Sequence, residues 1–188
     1  MTQQITTAKV RLSYVNVFTP RKTPQGIEKY SLTCLLPKSD TEGYKQLMDA
    51  VQAEINSESN GKLKGVAQPK HPVWDGDGVT QNGQEFGPEC KGCWVFSASA
   101  NVEYPPAIVD ARVQPIMDQT EVYSGCYAHV ALSIYAYNNN SRGIGFGLRG
   151  VQKVADGEPL GSTFDVKKAF TAQPISGQSA GSDPLLGL

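Results

Sequence analysis

The chain has 188 residues, of which 39% are hydrophobic, and a formal net charge of -1. This length suits one ordinary domain with its own core, and no run approaches the roughly 18 consecutive apolar residues of a membrane-spanning helix. The N-terminus also lacks the basic and then apolar pattern of a secretory signal. We therefore expect a soluble protein of the cytoplasm whose four cysteines stay reduced.

The near-zero net charge hides an uneven distribution along the chain. Residues 1–38 hold six basic side chains against one acid, and residues 62–74 add three lysines against none, whereas residues 39–61 hold five acids against one lysine. A polyanion responds to the local field rather than to the total charge. The pattern is compatible with a nucleic-acid surface, but on charge alone ordinary solvating charges explain it equally well.

Two alternating segments predict the first strands. Residues 9–18 alternate polar and apolar side chains, which is typical of a half-buried strand, and this places the cations Lys9 and Arg11 on one face. Residues 30–36 alternate again after a turn rich in proline and glycine.

One helix is predicted directly after the second strand. Ser39 begins the sequence S-D-T-E, a capping box with Glu42 at the third helical position, and apolar residues follow at helical spacing through 40–57. The stretch 60–92 shows neither period and is rich in glycine, proline and aspartate, so it is predicted to form long loops with at most a short strand. Alternation returns at 93–101, which predicts a further strand.

The longest alternation lies at 126–137, and a polar turn and the sequence G-I-G-F-G-L follow it. We predict a hairpin centred on Asn140, because this register puts the apolar residues of both arms on one face. The other face then carries three cross-strand pairs, Tyr137 with Gly143, Tyr135 with Gly145 and Ser133 with Gly147.

This outer face has two interpretations. The glycines leave the surface beside the tyrosines free of side chains, which favours a platform on which planar bases stack. Alternatively, Tyr135 and Tyr137 pack over the glycines and only stabilise the sheet. Arg142 and Arg149 flank the hairpin and suit contacts to phosphate.

Other motifs are weaker. Residues 145–150 match the dinucleotide-binding pattern G-x-G-x-x-G, but no helical pattern follows them, so the match is read as accidental. Cys90 and Cys93 form a lone C-x-x-C without a second ligand pair, which makes them a weak candidate for zinc. No catalytic motif is found, so we expect neither an enzyme nor a cofactor.

Several linked motifs carry a family resemblance. They are Y-S-L-T-C-L-L-P-K-S-D (30–40), V-Y-S-G-C-Y (122–127), I-Y-A-Y-N (134–138), G-I-G-F-G-L-R-G-V-Q (143–152) and D-G-E-P-L-G (156–161). Together they resemble the single-stranded DNA-binding proteins of tailed bacteriophages. The resemblance implies a mainly β fold over residues 1–168, an OB-fold-like antiparallel barrel with one main α-helix and long loops. It also implies a non-catalytic protein that coats single-stranded DNA in replication and recombination, in the host cytoplasm.

Such binding combines basic contacts to phosphates with aromatic stacking on bases. The resemblance does not transfer individual contact residues, so the candidates come from the physical pattern. The candidate DNA contacts are Lys9, Arg11, Arg21, Lys22, Lys29, Lys62, Lys64, Lys70, Trp74, Arg112, Tyr135, Tyr137, Arg142 and Arg149.

Residues 169–188 are predicted to form a low-complexity tail. Its tip, D-P-L-L-G-L, is hydrophobic, but Asp183 is the only charged residue between Thr171 and Leu188. We expect a docking peptide for replication or recombination proteins. A homo-oligomer stays open, as do two other functions: a structural β-barrel protein whose Tyr/Gly face joins subunits, and an enzyme that uses Cys90 and Cys93.

Overall fold

Eight β-strands and one α-helix make up the part of the chain that the structure, a computed structural model, describes: residues 3–161 and 169–173. In chain order they are β1 (Gln3–Thr6), β2 (Val10–Lys22), β3 (Glu28–Pro37), α1 (Thr41–Ser57), β4 (Val73–Asp75), β5 (Cys93–Asn101), β6 (Ala107–Val109), β7 (Tyr127–Asn138) and β8 (Arg142–Ala155). Within these residues, no helix has the length and apolarity needed to cross a membrane.

Five of the strands close into a barrel. β2 pairs with β3, β3 with β5, β5 with β8, β8 with β7, and β7 returns to β2. All of these pairings are antiparallel except β5 with β8, which is parallel at Ser99 and Gly147. A five-stranded Greek-key barrel of this kind is the OB-fold, so the predicted fold class is confirmed.

The inner face of the β7–β8 hairpin fills the barrel in the predicted register. Ile134 lies opposite Phe146 and Leu132 opposite Leu148, and all four are buried. Phe96 from β5 meets Phe146 edge to face, with ring centroids 5.5 Å apart. Because alternate residues of a strand point to opposite faces, this core fixes which residues point outwards.

Helix α1 begins with a different cap from the predicted one. The N-cap is Asp40, whose carboxylate accepts a hydrogen bond from the Gly43 backbone N–H at 2.8 Å. The prediction of Ser39 as the cap was wrong because aspartate caps a helix as well as serine does, and here Gly43 allows the closer approach. A Cβ atom at Gly43 would lie 2.8 Å from Oδ2 of Asp40.

Replacing this cap tests the correction. Asp40→Ala should lower the free energy of unfolding by about 1 kcal/mol, since one helical N–H loses its acceptor, and a thermal melt should show a midpoint roughly 2–4 °C lower. Ser39→Ala should leave the midpoint nearly unchanged. If Ser39→Ala lowered the midpoint more than Asp40→Ala, Ser39 would be the N-cap.

The segment 70–75, predicted to be loop or at most a short strand, is built into the barrel wall. Val73 in β4 pairs with Phe96 of β5. Before it, the Lys70 N–H donates to the Arg142 carbonyl at 3.0 Å, and the Lys70 carbonyl accepts from the Ile144 N–H at 3.1 Å. The segment therefore fills the space between β5 and the start of β8.

Candidate nucleic-acid interface

The outer face of the β7–β8 hairpin carries the predicted tyrosine and glycine pairs. In the observed register the partners are Tyr137 and Gly143, Tyr135 and Gly145, and Ser133 and Gly147. Tyr135 is 38% exposed, while residues on either side of it in the strand are buried. The predicted hairpin geometry is confirmed.

The tyrosine side chains themselves cover the glycines. A Cβ atom at Gly145 would lie 2.8 Å from both Cζ and Oη of Tyr135, and one at Gly143 would lie 2.8 Å from Oη of Tyr137. The space beside the rings is therefore not empty, as the stacking interpretation assumed, because aromatic rings settle over cross-strand glycines. Since Tyr135 keeps part of its surface exposed, the glycines support the rings and the rings still offer a surface to solvent.

Burial raises the pKa of the Tyr135 hydroxyl above its ordinary value, and the neighbouring Tyr137 adds a smaller effect. A phenol is neutral at physiological pH at its ordinary pKa as well, so this hydroxyl carries no charge that would repel phosphate.

The three glycines differ in which atoms lie closest to the position of a Cβ atom. A Cβ atom at Gly143 would lie 2.7 Å from the backbone oxygen of Lys70, whereas one at Gly147 would meet the Ser133 hydroxyl, which is able to rotate away. We predict that Gly143→Ala lowers the free energy of unfolding by about 1–3 kcal/mol, because the segment at Lys70 must shift. Gly147→Ala is the matched control and should cost less than about 1 kcal/mol. Urea unfolding of both variants measures the difference, and equal losses would contradict this account.

A groove of about 450 Å³ opens between the hairpin and the segment that includes β4. Three of the predicted contact residues line it: Lys70, Trp74 and Tyr137. Trp74 is 40% exposed, and its backbone pairs with Val95 of β5. The groove thus brings together two aromatic rings and a cation from segments more than sixty residues apart in sequence, the combination that single-strand binding uses.

Small polar side chains continue from the groove across β5 and β3. Ser97 lies opposite Thr33 with their hydroxyl oxygens 3.1 Å apart, and Ser99 lies opposite Ser31 and beside Gly147. We call the four hydroxyl-bearing residues of this set the hydroxyl strip: Ser31, Thr33, Ser97 and Ser99. Sequence reasoning missed it, although the alternation at 93–101 already placed the serines on the outer face. Because the side chains of the strip are small, they leave room for an extended nucleic-acid strand to lie close to the sheet. OB-folds bind oligonucleotides on this face.

Three candidate cations gather at the tip of the hairpin beside the groove. Arg142 donates through Nε to Oδ1 of Asn138 at 3.1 Å and through Nη1 to the Lys64 carbonyl at 3.0 Å. Lys62 donates through Nζ to the Ala136 carbonyl at 3.2 Å. The bonds of Arg142 and Lys62 hold two positive charges at the tip of the hairpin, and Lys64 is held there through its backbone carbonyl.

A second group lies at the β2–β3 turn, towards the other end of the hydroxyl strip. Arg21 lies directly opposite Lys29, and Lys22 lies opposite Glu28. Lys29 is also opposite Asn101, the last residue of β5. Like charges directly opposite each other destabilise a sheet, so the Arg21–Lys29 pair is suited to binding an anion between its members.

Lys9 and Arg11 lie apart from the groove. Their cationic groups stand 5.8 and 5.9 Å from the ring centroid of Tyr127, which is ten residues, about 33 Å, along β7 from Tyr137. Arg11 also donates to the carbonyls of Gly125 and Glu158. This geometry gives Arg11 a role in holding two loops against β2.

Arg149 and Arg112 also stand away from the groove. Arg149 is exposed in a bulge between β7 and β8 and lines a small cleft with Gln4 of β1. The backbone N–H of Arg112 donates to Asp110 at 2.8 Å, in a turn near the acidic cleft that Asp118, Glu121 and Asp156 line.

The candidate contact cations lie outside the ion pairs of the described residues. In the described part of the chain, ion pairs join Lys38 to Asp75 and Asp77, Lys45 to Asp49, and Lys153 to Glu121 and Asp156. None of the candidate contact cations takes part in an ion pair there. Their charge is therefore available to phosphate.

The two cysteines of the C-x-x-C motif lie in an apolar setting. Cys90 and Cys93 pack with Leu35 and Val95. Burial raises the pKa of Cys90 to about 11 and raises that of Cys93 as well, which disfavours the thiolate that a metal or a substrate needs. Across residues 3–161 and 169–173, no group of three or more potential metal ligands is found.

Comparison with known proteins places this geometry among viral DNA-binding proteins. Residues 3–180 match the family described as Enterobacter phage Enc34, ssDNA-binding protein. The solved structure of the single-stranded DNA-binding protein from bacteriophage Enc34 in complex with ssDNA is 26% identical, with a TM-score of 0.69 over 84% of this chain and 89% of that chain.

Two further matches are a solved structure with a similar fold and a phage protein of similar sequence. The fold of gp2.5, a single-stranded DNA-binding protein encoded by bacteriophage T7, is similar with a TM-score of 0.60 at 13% identity, over 92% of this chain and 100% of that chain. "Putative protein p50" of Acyrthosiphon pisum secondary endosymbiont phage 1 is 28% identical over 79% of this chain and 82% of its own length.

Proposed function

Because the chain belongs to the family of the Enterobacter phage Enc34 ssDNA-binding protein, we propose that it binds and coats single-stranded DNA in phage DNA replication and recombination. The observation that carries the proposal is the groove on the OB barrel, where Trp74, Tyr137 and Lys70 converge. Rings that are open to solvent and a cation beside them match the two chemical parts of a single strand, its bases and its phosphates.

The DNA runs from the groove across the hydroxyl strip towards the β2–β3 turn. Bases stack on Trp74, Tyr135 and Tyr137, while the hairpin-tip cations and the Arg21–Lys29 pair bind phosphates at the two ends. Binding varies little with sequence, because every base has a face that stacks. A duplex hides those faces inside its own stack, so single strands are preferred.

The protein acts by binding, without a catalytic step. His71 lines the groove, and its Nδ1 lies 3.1 Å from the carbonyl oxygen and 3.2 Å from the backbone nitrogen of Val73. This contact with Val73 fixes the ring against the turn before β4.

We include three proposals that rest on the sequence. Residues 1–168 form the DNA-binding domain, and the tail 169–188 docks replication or recombination proteins through its hydrophobic tip; residues 162–168 and 174–188 lie outside the described part of the chain. The place of action is the host cytoplasm, where phage DNA is copied.

Titration with a dT oligomer at several salt concentrations tests the proposal. Trp74 lines the groove, so its fluorescence should be quenched on binding. With four to six phosphates neutralised, the affinity should fall roughly 50- to 300-fold between 50 and 200 mM salt, since the slope is about -0.7 per phosphate for single strands. A duplex of the same length is the control and should bind more weakly. Absence of quenching at low salt, together with salt-resistant assembly without DNA, would favour a structural β-barrel protein instead.

A further inference from the structure

Tyr14 combines an unusual backbone conformation with an unusual exposure for a strand residue. Its φ is 47°, in the left-handed region that residues other than glycine rarely adopt. Its side chain is 67% exposed, so the conformation is not adopted to bury the ring. A strained backbone that presents an aromatic ring to solvent points to a function for the ring.

The cause of this conformation is a bulge in β2. Ser13 pairs with Thr33 and Asn16 pairs with Ser31, so that Tyr14 and Val15 together oppose one residue of β3. A bulge residue with positive φ is ordinarily glycine, and bulges are common where a side chain must be redirected beside a functional site.

Hydrogen bonds fix the bulge in this form. The Val15 N–H donates to Oγ of Ser124 at 3.2 Å, and Nδ2 of Asn16 donates to the Tyr14 carbonyl at 3.0 Å. The surrounding contacts therefore maintain the left-handed conformation, as strained residues require.

The bulge lies at the border of the hydroxyl strip. Its two flanking pairs use Thr33 and Ser31 of β3, which are both members of the strip. From Tyr14 on β2 to Trp74 on β4 the path crosses β3 and β5. Three strand spacings amount to about 14 Å across the sheet, and the step along β5 from Ala98, opposite Leu32, to Val95, opposite Trp74, adds an offset of about 10 Å. The separation is therefore about 17 Å, which corresponds to about five stacked nucleotides.

We propose that Tyr14 is a second stacking site for the bases of single-stranded DNA, across the hydroxyl strip from the groove, and that the bulge holds its ring there. This inference rests on the proposed function. The ligand is an unpaired nucleobase of any identity, because the exposed ring offers a flat face and no defined pattern of hydrogen bonds.

Four variants of the full chain test the proposal by fluorescence titration with a dT oligomer of about 12 nucleotides, which suits one OB-fold, and by thermal melts. Tyr14→Gly and Tyr14→Asn should bind about 5- to 100-fold more weakly with melting midpoints that are not lowered, since both residues tolerate positive φ. Tyr14→Phe keeps the ring and should bind like the wild type. Val113→Gly is the matched control, because Val113 also has positive φ, 62°, and is 65% exposed, but lies in the turn with Arg112; it should bind like the wild type.

The outcomes separate this inference from the proposed function. If the wild type binds the oligomer and Tyr14→Gly binds it with an affinity within about twofold of the wild type, the stacking site is overturned and the proposed function stands. Weaker binding that comes with a lowered melting midpoint would also overturn it, because Tyr14 would then be structural. Failure of the wild type to bind the oligomer would instead overturn the proposed function.

Discussion

Replacing Trp74 and Tyr137 together by alanine is expected to weaken binding of a dT oligomer by roughly 30- to 1,000-fold, about 2–4 kcal/mol. Each ring that stacks on a base contributes about 1–3 kcal/mol, and neighbouring contributions do not add fully. Both side chains line the groove on the outside of the barrel, so the barrel core remains intact. Fluorescence anisotropy of a labelled oligomer measures the loss, and a thermal melt measures any change in stability.

Tyr127→Ala is the matched control for that double variant. Tyr127 lies on the same strand as Tyr137 but at its opposite end, beside Lys9 and Arg11. It should bind within about threefold of the wild type if the DNA lies over the groove. An equal loss of affinity in Tyr127→Ala would indicate that Lys9 and Arg11 contact the DNA. If the double variant loses stability but not affinity, the rings serve sheet packing.

Arg21→Glu should change stability and binding in opposite directions. It puts a carboxylate opposite Lys29, which replaces a repulsive cross-strand pair by an attractive one and stabilises the sheet by about 0.2–1 kcal/mol. The same change removes one phosphate contact and neutralises a second. The salt slope should therefore be shallower by about 1.4, and the affinity at low salt should fall by roughly tenfold or more.

Arg112→Glu is the control for this charge change, since its turn lies near an acidic cleft rather than on the DNA path. It should leave the salt slope unchanged. A slope that Arg21→Glu does not alter would remove the β2–β3 turn from the interface, and a slope that Arg112→Glu reduces would add the turn at Arg112 to it.

The hairpin was predictable from sequence because one physical requirement fixes its register. The apolar residues of both arms had to share the core face, and this alone placed Tyr135 opposite Gly145 and Tyr137 opposite Gly143, as the structure shows. What the glycines do was not predictable, because the position of a ring over the neighbouring strand depends on side-chain packing.

Features that depend on long-range strand pairing could not be predicted from local sequence patterns. β4 has only three residues, so it has no period to read, and its partners in β5 are twenty residues further along the chain. The bulge at Tyr14 interrupts an otherwise regular alternation and is visible only once β3 is paired with it. Charge density along the chain grouped Arg11 with Arg21, although the barrel places them at opposite ends of β2.

Ultraviolet crosslinking of the wild-type protein to a dT oligomer, followed by mass spectrometry of the peptides, tests the central claim most directly. The account predicts crosslinks at Trp74, Tyr135 and Tyr137, which lie in and beside the groove. Crosslinks confined to Tyr127, or to the turn that holds Arg112, would contradict it, because the DNA would then lie away from the groove.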